Sequence, residues 1–197
     1  MKQAVFVFLL VLLAGGGYYL YHSHHQNDYV ASIEAHRNQK DIWLANDEAS
    51  PFVRTNTPFK RLRYYPVDPA YRIRAHFELP AQRDSITLTT STGEPQTYLI
   101  AGTARFRLRG QDCSLLVFYV GPGENLFIPF MDATSGTTTY GAGRYLEAPM
   151  PEDDEIILDF NLAYNPYCAY VDAYTCPFPP RQNILPVAIE AGEKNYH

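Results

Sequence analysis

The stretch Tyr71 to Leu79, Y-R-I-R-A-H-F-E-L, decides the fold class. Tyr71, Ile73, Ala75, Phe77 and Leu79 alternate with Arg72, Arg74, His76 and Glu78. That period of two marks a strand with one buried and one wet face, because successive side chains leave opposite sides of the pleat. The same signal recurs downstream. Ser85 to Thr90 alternates Ile86 and Leu88 with hydroxyl residues, and Gly93-Glu94-Pro95 then supplies a turn. Tyr98 to Leu108 sets Ala104, Phe106 and Leu108 opposite Arg105, Arg107 and Arg109. Gly110 permits a tight reversal into Cys113 to Val120, Gly121-Pro122-Gly123 breaks that strand, and Leu126 to Phe130 follows. No helix-length crossover separates these segments. They predict a mainly β domain with antiparallel pairing, a β-sandwich or barrel-like meander.

Upstream, Asp28 to Asn46 lacks Pro and Gly and spaces Val30, Ile33, Trp43 and Leu44 among charged residues, which predicts one short helix before the sheet. Ser50-Pro51 is expected to end it, since the residue before proline disfavours helical geometry. Ala4 to Tyr21 carries no charge. At about 1.5 Å per residue it measures roughly 27 Å as a helix, close to the thickness of a bilayer's hydrocarbon core. Lys2 precedes it, and Tyr18, Tyr19 and Tyr21 suit a membrane interface. The expectation is an N-terminal transmembrane helix, single-pass in the cytoplasmic membrane, holding the C-terminal domain outside the cytoplasm. The competing reading is a cleaved signal peptide, with Ala4 to Leu13 as its apolar region and Ala14 to Gly17 at the cleavage site, leaving a secreted or periplasmic domain. The expected organisation is residues 1–22 as anchor or signal, 23–50 as stalk and helix, and 51–197 as one β-rich domain.

Hydrophobic residues form 46% of the chain and charged residues 19%, enough to bury a core. The net charge of -5 argues against a nucleic-acid partner, which requires unpaired Lys and Arg against phosphates. Arg72, Arg74, Arg105, Arg107 and Arg109 form one stripe if their strands are neighbours, either a surface for anionic polymers or a solvated face balanced by Glu78 and Asp84.

The chemistry concentrates later, in Phe130 to Arg144 and Leu158 to Tyr170. Thr139 to Leu146, T-Y-G-A-G-R-Y-L, and Leu158 to Tyr170, L-D-F-N-L-A-Y-N-P-Y-C-A-Y, are two parts of a longer pattern. It continues through Cys176-Pro177, Pro179-Pro180, Asn183, Leu185 and Ala191-Gly192-Glu193, with Tyr65 to Asp68 and Phe127 to Phe130 upstream. This pattern resembles domain of unknown function family 1684, an uncharacterised family of bacterial and archaeal proteins. The resemblance spans roughly Trp43 to Glu193 and brings no activity with it. Many relatives look like exported lipoproteins, and this chain differs from them in having glycines where a lipidated cysteine would stand.

Gly136 and Gly141 are spaced as in a phosphate-binding loop, but Ala142-Gly143-Arg144 replaces the Gly-Lys-Ser/Thr that should follow, so no nucleotide cofactor is implied. A polar ligand pocket is one reading of the rest, for a small molecule or a glycan. In it, Thr134 and Ser135 donate hydrogen bonds, Arg144 grips an anion, and Asp132 and Asp159 orient the arginine. The other reading is an Arg144–Asp159 ion pair buried under the loops. Asn161 and Asn165 suit turns or ligand contacts, and Tyr140, Tyr145, Tyr164, Tyr167, Tyr170 and Tyr174 suit a stacking platform or the rim of the core. Cys168 and Cys176 are expected to form a disulfide, and too few ligands accompany them for a metal. The expected role is non-catalytic binding. The alternative is a carboxylate-dependent hydrolase using Asp132, Asp159 or Glu147.

Overall fold

The computed structural model of the chain describes residues 2–121 and 125–197, with side chains from His24 onward. The expected anchor at residues 1–22 therefore lies outside the described side chains. Among the described residues no helix is long and apolar enough to cross a membrane.

The strands are β1 (Arg72–Glu78), β2 (Ser85–Thr89), β3 (Pro95–Leu108), β4 (Gln111–Tyr119), β5 (Asn125–Phe130), β6 (Arg144–Pro149) and β7 (Glu155–Asp159). They form one antiparallel sheet in the order β6-β5-β4-β3-β1-β7, with β2 also on β3. β6 and β7, at the two ends, lie against each other without a ladder, so the sheet is a nearly closed barrel. A plain meander is thus corrected: β2 to β6 run in order, while β1 pairs with β3 and β7 returns to β1. The long β3 makes this possible. Its first part pairs with β2, and its second part lies between β1 and β4. The register shifts between Ile100 and Gly102. A Cβ on Gly102 would stand 2.6 Å from the Glu78 carbonyl oxygen, so the bulge needs a residue without one.

Most of the expected inward set is inward: Ala75, Phe77, Ala104 and Phe106 share the barrel core with Leu115, Val117, Leu126, Ile128, Phe130, Leu146 and Leu158, whereas Leu79 is exposed beyond the end of β1 and Ile86 and Leu88 pack on the outer face. The outer face is covered too. Leu88, Phe118, Phe127 and Tyr145 pack beneath Tyr164, Cys168, Tyr174 and Cys176. Two covered faces explain why β5 is buried almost throughout.

β6 and β7 go beyond the sequence reading. β6 sends a charged residue, Arg144, into the interior, and β7 is a five-residue strand whose second face passes from exposed Glu155 through half-buried Ile157 to buried Asp159, so neither shows a clean alternation. Another correction concerns Ser50-Pro51. The pair starts a helix: α1 (Lys2–Asn46) ends before it, and α2 (Pro51–Arg54) begins with Ser50 as cap and Pro51 in the first turn. The end of α1 packs with α2 through Leu44, Phe52, Leu62 and Tyr170. Polar contacts fasten the same helix to the domain. Arg37 donates to the Tyr65 and Asn161 carbonyls at 2.9 and 3.0 Å, and Lys40 Nζ meets Glu193 Oε1 at 2.6 Å.

The arginine stripe is a solvated, paired face. Arg74 bonds Glu155, Arg105 bonds Glu78 and Arg109 bonds Glu190. Exposed pairs of this kind are screened by water and contribute little to stability.

Candidate functional site

Arg144 opens β6, opposite Phe130 of β5. Its side chain points the same way as Leu146 and Ala148, into the end of the barrel, and is 0% exposed. There the C-terminal segment crosses with carbonyls that lack strand partners. Arg144 Nη1 donates to the Ala191 and Glu193 carbonyls, and Nη2 donates to Ile189 O and Asp132 Oδ2, both at 2.9 Å. The guanidinium also lies 5.3 Å from the Phe130 ring centroid. Asp132 is equally engaged: its Oδ1 accepts from Thr134 N at 2.8 Å, Thr134 Oγ1 at 2.7 Å and Ile189 N at 3.0 Å. The buried ion pair is therefore Arg144–Asp132, not Arg144–Asp159. Both Asp132 oxygens and the Nη donors of Arg144 are thereby engaged, and Arg144 Nε, which has no partner, is closed off by burial.

The hydroxyl loop folds onto itself. Thr134 Oγ1 bonds Thr139 Oγ1 at 2.8 Å, and Ser135 Oγ accepts from Asp132 N at 3.1 Å. Gly143 has φ +94°, and a Cβ there would meet the Phe130 carbonyl oxygen at 2.6 Å, so this glycine serves close packing. Asp159 sits elsewhere, accepting from Tyr29 Oη at 2.8 Å and from Asn161 N at 3.1 Å. Asn161 is 0% exposed and clamps Asp68 from both sides, its Oδ1 accepting from Asp68 N at 3.0 Å and its Nδ2 donating to Asp68 O at 2.8 Å. Asn165 donates through its backbone N–H to Glu193 Oε2 at 2.9 Å and through Nδ2 to Lys194 O at 2.9 Å. These residues tie loops and termini to the barrel. A hydrolase built on Asp132 or Asp159 would need carboxylate oxygens that these contacts already occupy.

The expected disulfide is absent. Cys168 and Cys176 are free thiols, and Cys176 Sγ accepts the Cys168 N–H at 3.2 Å. A hydrogen bond from the Cys176 thiol, followed by one from Tyr140, lowers the Cys168 thiol to about 7, while that same partnership raises Cys176. Burial, then the neighbouring Cys168, pushes Tyr140 up to about 12.

What the outer face does present is a groove. Beside the Cys pair, the covering segment stands away from β5 and β6 and leaves a cavity of about 600 Å³. Six rings line it: Tyr98, Phe127, Tyr145, Tyr164, Tyr167 and Tyr174. Glu147, which faces Phe127 across the β5–β6 ladder, is the one charged residue in the lining among the described residues. Its Oε1 accepts from Tyr164 Oη at 2.9 Å, and its Oε2 lies 3.4 Å from Asn125 Nδ2. Both partners are neutral. Tyr145 Oη is tied to Pro177 O at 2.7 Å, so its ring is held in place. Burial, then Glu147, raises the Tyr164 phenol, and burial, then the cysteines, raises Tyr145; both rings stay neutral. A second cavity of about 610 Å³ adjoins the first, shares Asn125, Glu147, Tyr164 and Tyr167 with it, and adds His36, Lys40 and Trp43 from α1.

Of the residues expected at a site, Tyr164 and Tyr167 line this groove, while Asp132, Thr134, Ser135, Arg144, Asp159, Asn161 and Asn165 do not. Tyr140 stands nearby as a neighbour of Cys168. Sequence reasoning missed Tyr98 and Phe127 as site residues. Their only local signal is an aromatic residue at an outward strand position.

The family described as "Protein of unknown function (DUF1684)" matches residues 57–194. The chain is also similar to an uncharacterised protein of Haloarcula marismortui whose solution structure is known. The two are 37% identical with a TM-score of 0.66, over 87% of this chain and 96% of that one. The curated proteins give no match.

Proposed function

This chain belongs to the DUF1684 family, and from that premise we propose that it is a non-catalytic binding module whose ligand, a small molecule or an envelope fragment, occupies the aromatic groove over β5 and β6. One observation carries the reading: a concave cavity of about 600 Å³ walled by aromatic rings around a single carboxylate. Binding sites for small molecules are typically concave and mostly apolar, with a few fixed polar groups, in volumes of roughly 300–1,000 Å³. Holding the rings in place ahead of binding lowers the entropy lost when a ligand arrives.

The module's place is proposed as outside the cytoplasm, tethered through residues 1–22. The charge-free run from Ala4 to Tyr21 after Lys2 supports a membrane partner. Docking of α1 on the domain through Arg37 and Lys40 would then hold the groove at a set distance from the bilayer.

The test is a thermal-shift and ligand-observed NMR screen of sugars, organic acids and organic amines, repeated on Tyr167→Ala and Tyr174→Ala. Hits that vanish in both variants, with the fold retained, support the groove. Hits indifferent to both changes overturn it.

A further inference from the structure

We infer that the ligand of this groove is a small organic cation, an alkyl- or arylammonium; this rests on the groove being the binding site. The first observation is charge. Glu147 is the one charged residue lining the cavity among the described residues, and its two hydrogen-bond partners, Tyr164 and Asn125, bring no compensating positive charge. Glu147 is exposed to water at the mouth of an aromatic-walled recess, where a carboxylate favours a ligand of opposite charge and repels anions.

The second observation is the arrangement of the walls. Tyr145 and Tyr164 meet at 89° with centroids 5.9 Å apart, and Tyr167 and Tyr174 meet at 76° with centroids 5.3 Å apart. Rings crossed at steep angles give the lining aromatic surfaces of more than one orientation. A sugar stacks best on a flat, open ring face, whereas a cation gains from several ring faces turned toward one point, since each face is the negative end of a quadrupole. The protein already seats an ammonium on one of these rings: Lys40 Nζ lies 4.4 Å from the Tyr164 centroid, on the side of the adjoining cavity. Lys40 is itself neutralised by Glu193 at 2.6 Å, so it does not supply the charge that Glu147 lacks.

The deciding experiment is isothermal titration of the full chain with matched pairs that differ in charge and little in shape. The pairs are choline with 3,3-dimethylbutan-1-ol, and tyramine with 4-ethylphenol; 4-hydroxyphenylacetate is the anionic control. The cationic member of at least one pair is expected to bind ten-fold or more tightly than its neutral partner and than the anion. Glu147→Gln is expected to erase that ratio, bringing the cationic and neutral members of each pair to equal affinity. Tyr167→Ala should weaken the cation most. Equal affinities within both pairs, or tighter binding of the anion, overturn the cation and leave the groove standing. A cation preference that survives Glu147→Gln overturns the assignment of the charge selection to Glu147 in this groove. Absence of binding by all five probes overturns the cation, while the groove is judged separately by the wider screen on Tyr167→Ala and Tyr174→Ala. Should Glu147→Gln fail to fold, the comparison within each pair on the unaltered chain still decides.

Discussion

Arg144 shows how a charged residue becomes part of a core. A guanidinium without water is costly unless its donors find acceptors: four bonds from Nη1 and Nη2 reach Asp132 and the carbonyls of Ile189, Ala191 and Glu193, while Nε has no hydrogen-bond partner. Arg144→Ala would strand the Asp132 carboxylate, so stability is expected to fall by about 3–5 kcal/mol in urea unfolding. Arg144→Lys should not restore it, because an ammonium cannot reproduce the planar fork. Equal stability of the three chains would remove the plug role. The cysteine pair gives a pH-dependent prediction. A thiolate is the nucleophile, so alkylation of Cys168 by iodoacetamide should speed up as pH rises through about 7. Cys176→Ala removes the thiol that stabilises the anion, and the midpoint should climb toward the ordinary value of about 8.5. An unmoved midpoint would show that the Cys176 contact does not set it.

Among the elements, β1, β3 and β4 follow their alternation because each has one face in the barrel core, and β2 because its apolar face packs in the outer cluster. β6 and β7 were hidden for a physical reason: a strand that buries an arginine, or whose wet face carries an isoleucine and a buried aspartate, has lost the polar side that makes a pattern visible. The groove was hidden likewise, since outward aromatics on β3 and β5 look like ordinary surface until residues 164–177 fold over them. Two contacts define how the strands close. Asn183 substitutes for ladder partners where β4 and β5 diverge: its Nδ2 donates to the Leu116 and Pro129 carbonyls at 2.9 and 2.8 Å, and its Oδ1 accepts the Leu116 N–H at 2.7 Å. Asn183→Ala leaves those backbone groups unpaired at roughly 1–3 kcal/mol each, so a loss of at least about 3 kcal/mol is expected in denaturant titration. Gly102→Ala should cost about 1–3 kcal/mol, because the new Cβ meets the Glu78 carbonyl at the β3 bulge. A neutral result would mean that β1 and β3 can separate there without penalty.

At the scale of the whole molecule, the C-terminal segment closes the barrel. Ile189 and Ala191 belong to the core, Ile189 N donates to Asp132, and Glu193 takes Lys40, Asn165 N and the Tyr170 phenol. A chain ending after Val187 is expected to lose cooperative thermal unfolding, followed by circular dichroism; a sharp transition near that of the full chain would contradict this. The sequence by itself determined the fold class, the first five strands and the helix before them, because alternation and turn chemistry act between near neighbours. Tertiary structure alone decided that Arg144 is a plug and that the cavity lies over β5 and β6. The partners of Arg144 stand up to 49 residues away, and the groove's rings come from separate strands and the segment laid across them. Such convergence exists only once the chain has closed, and no local pattern encodes it.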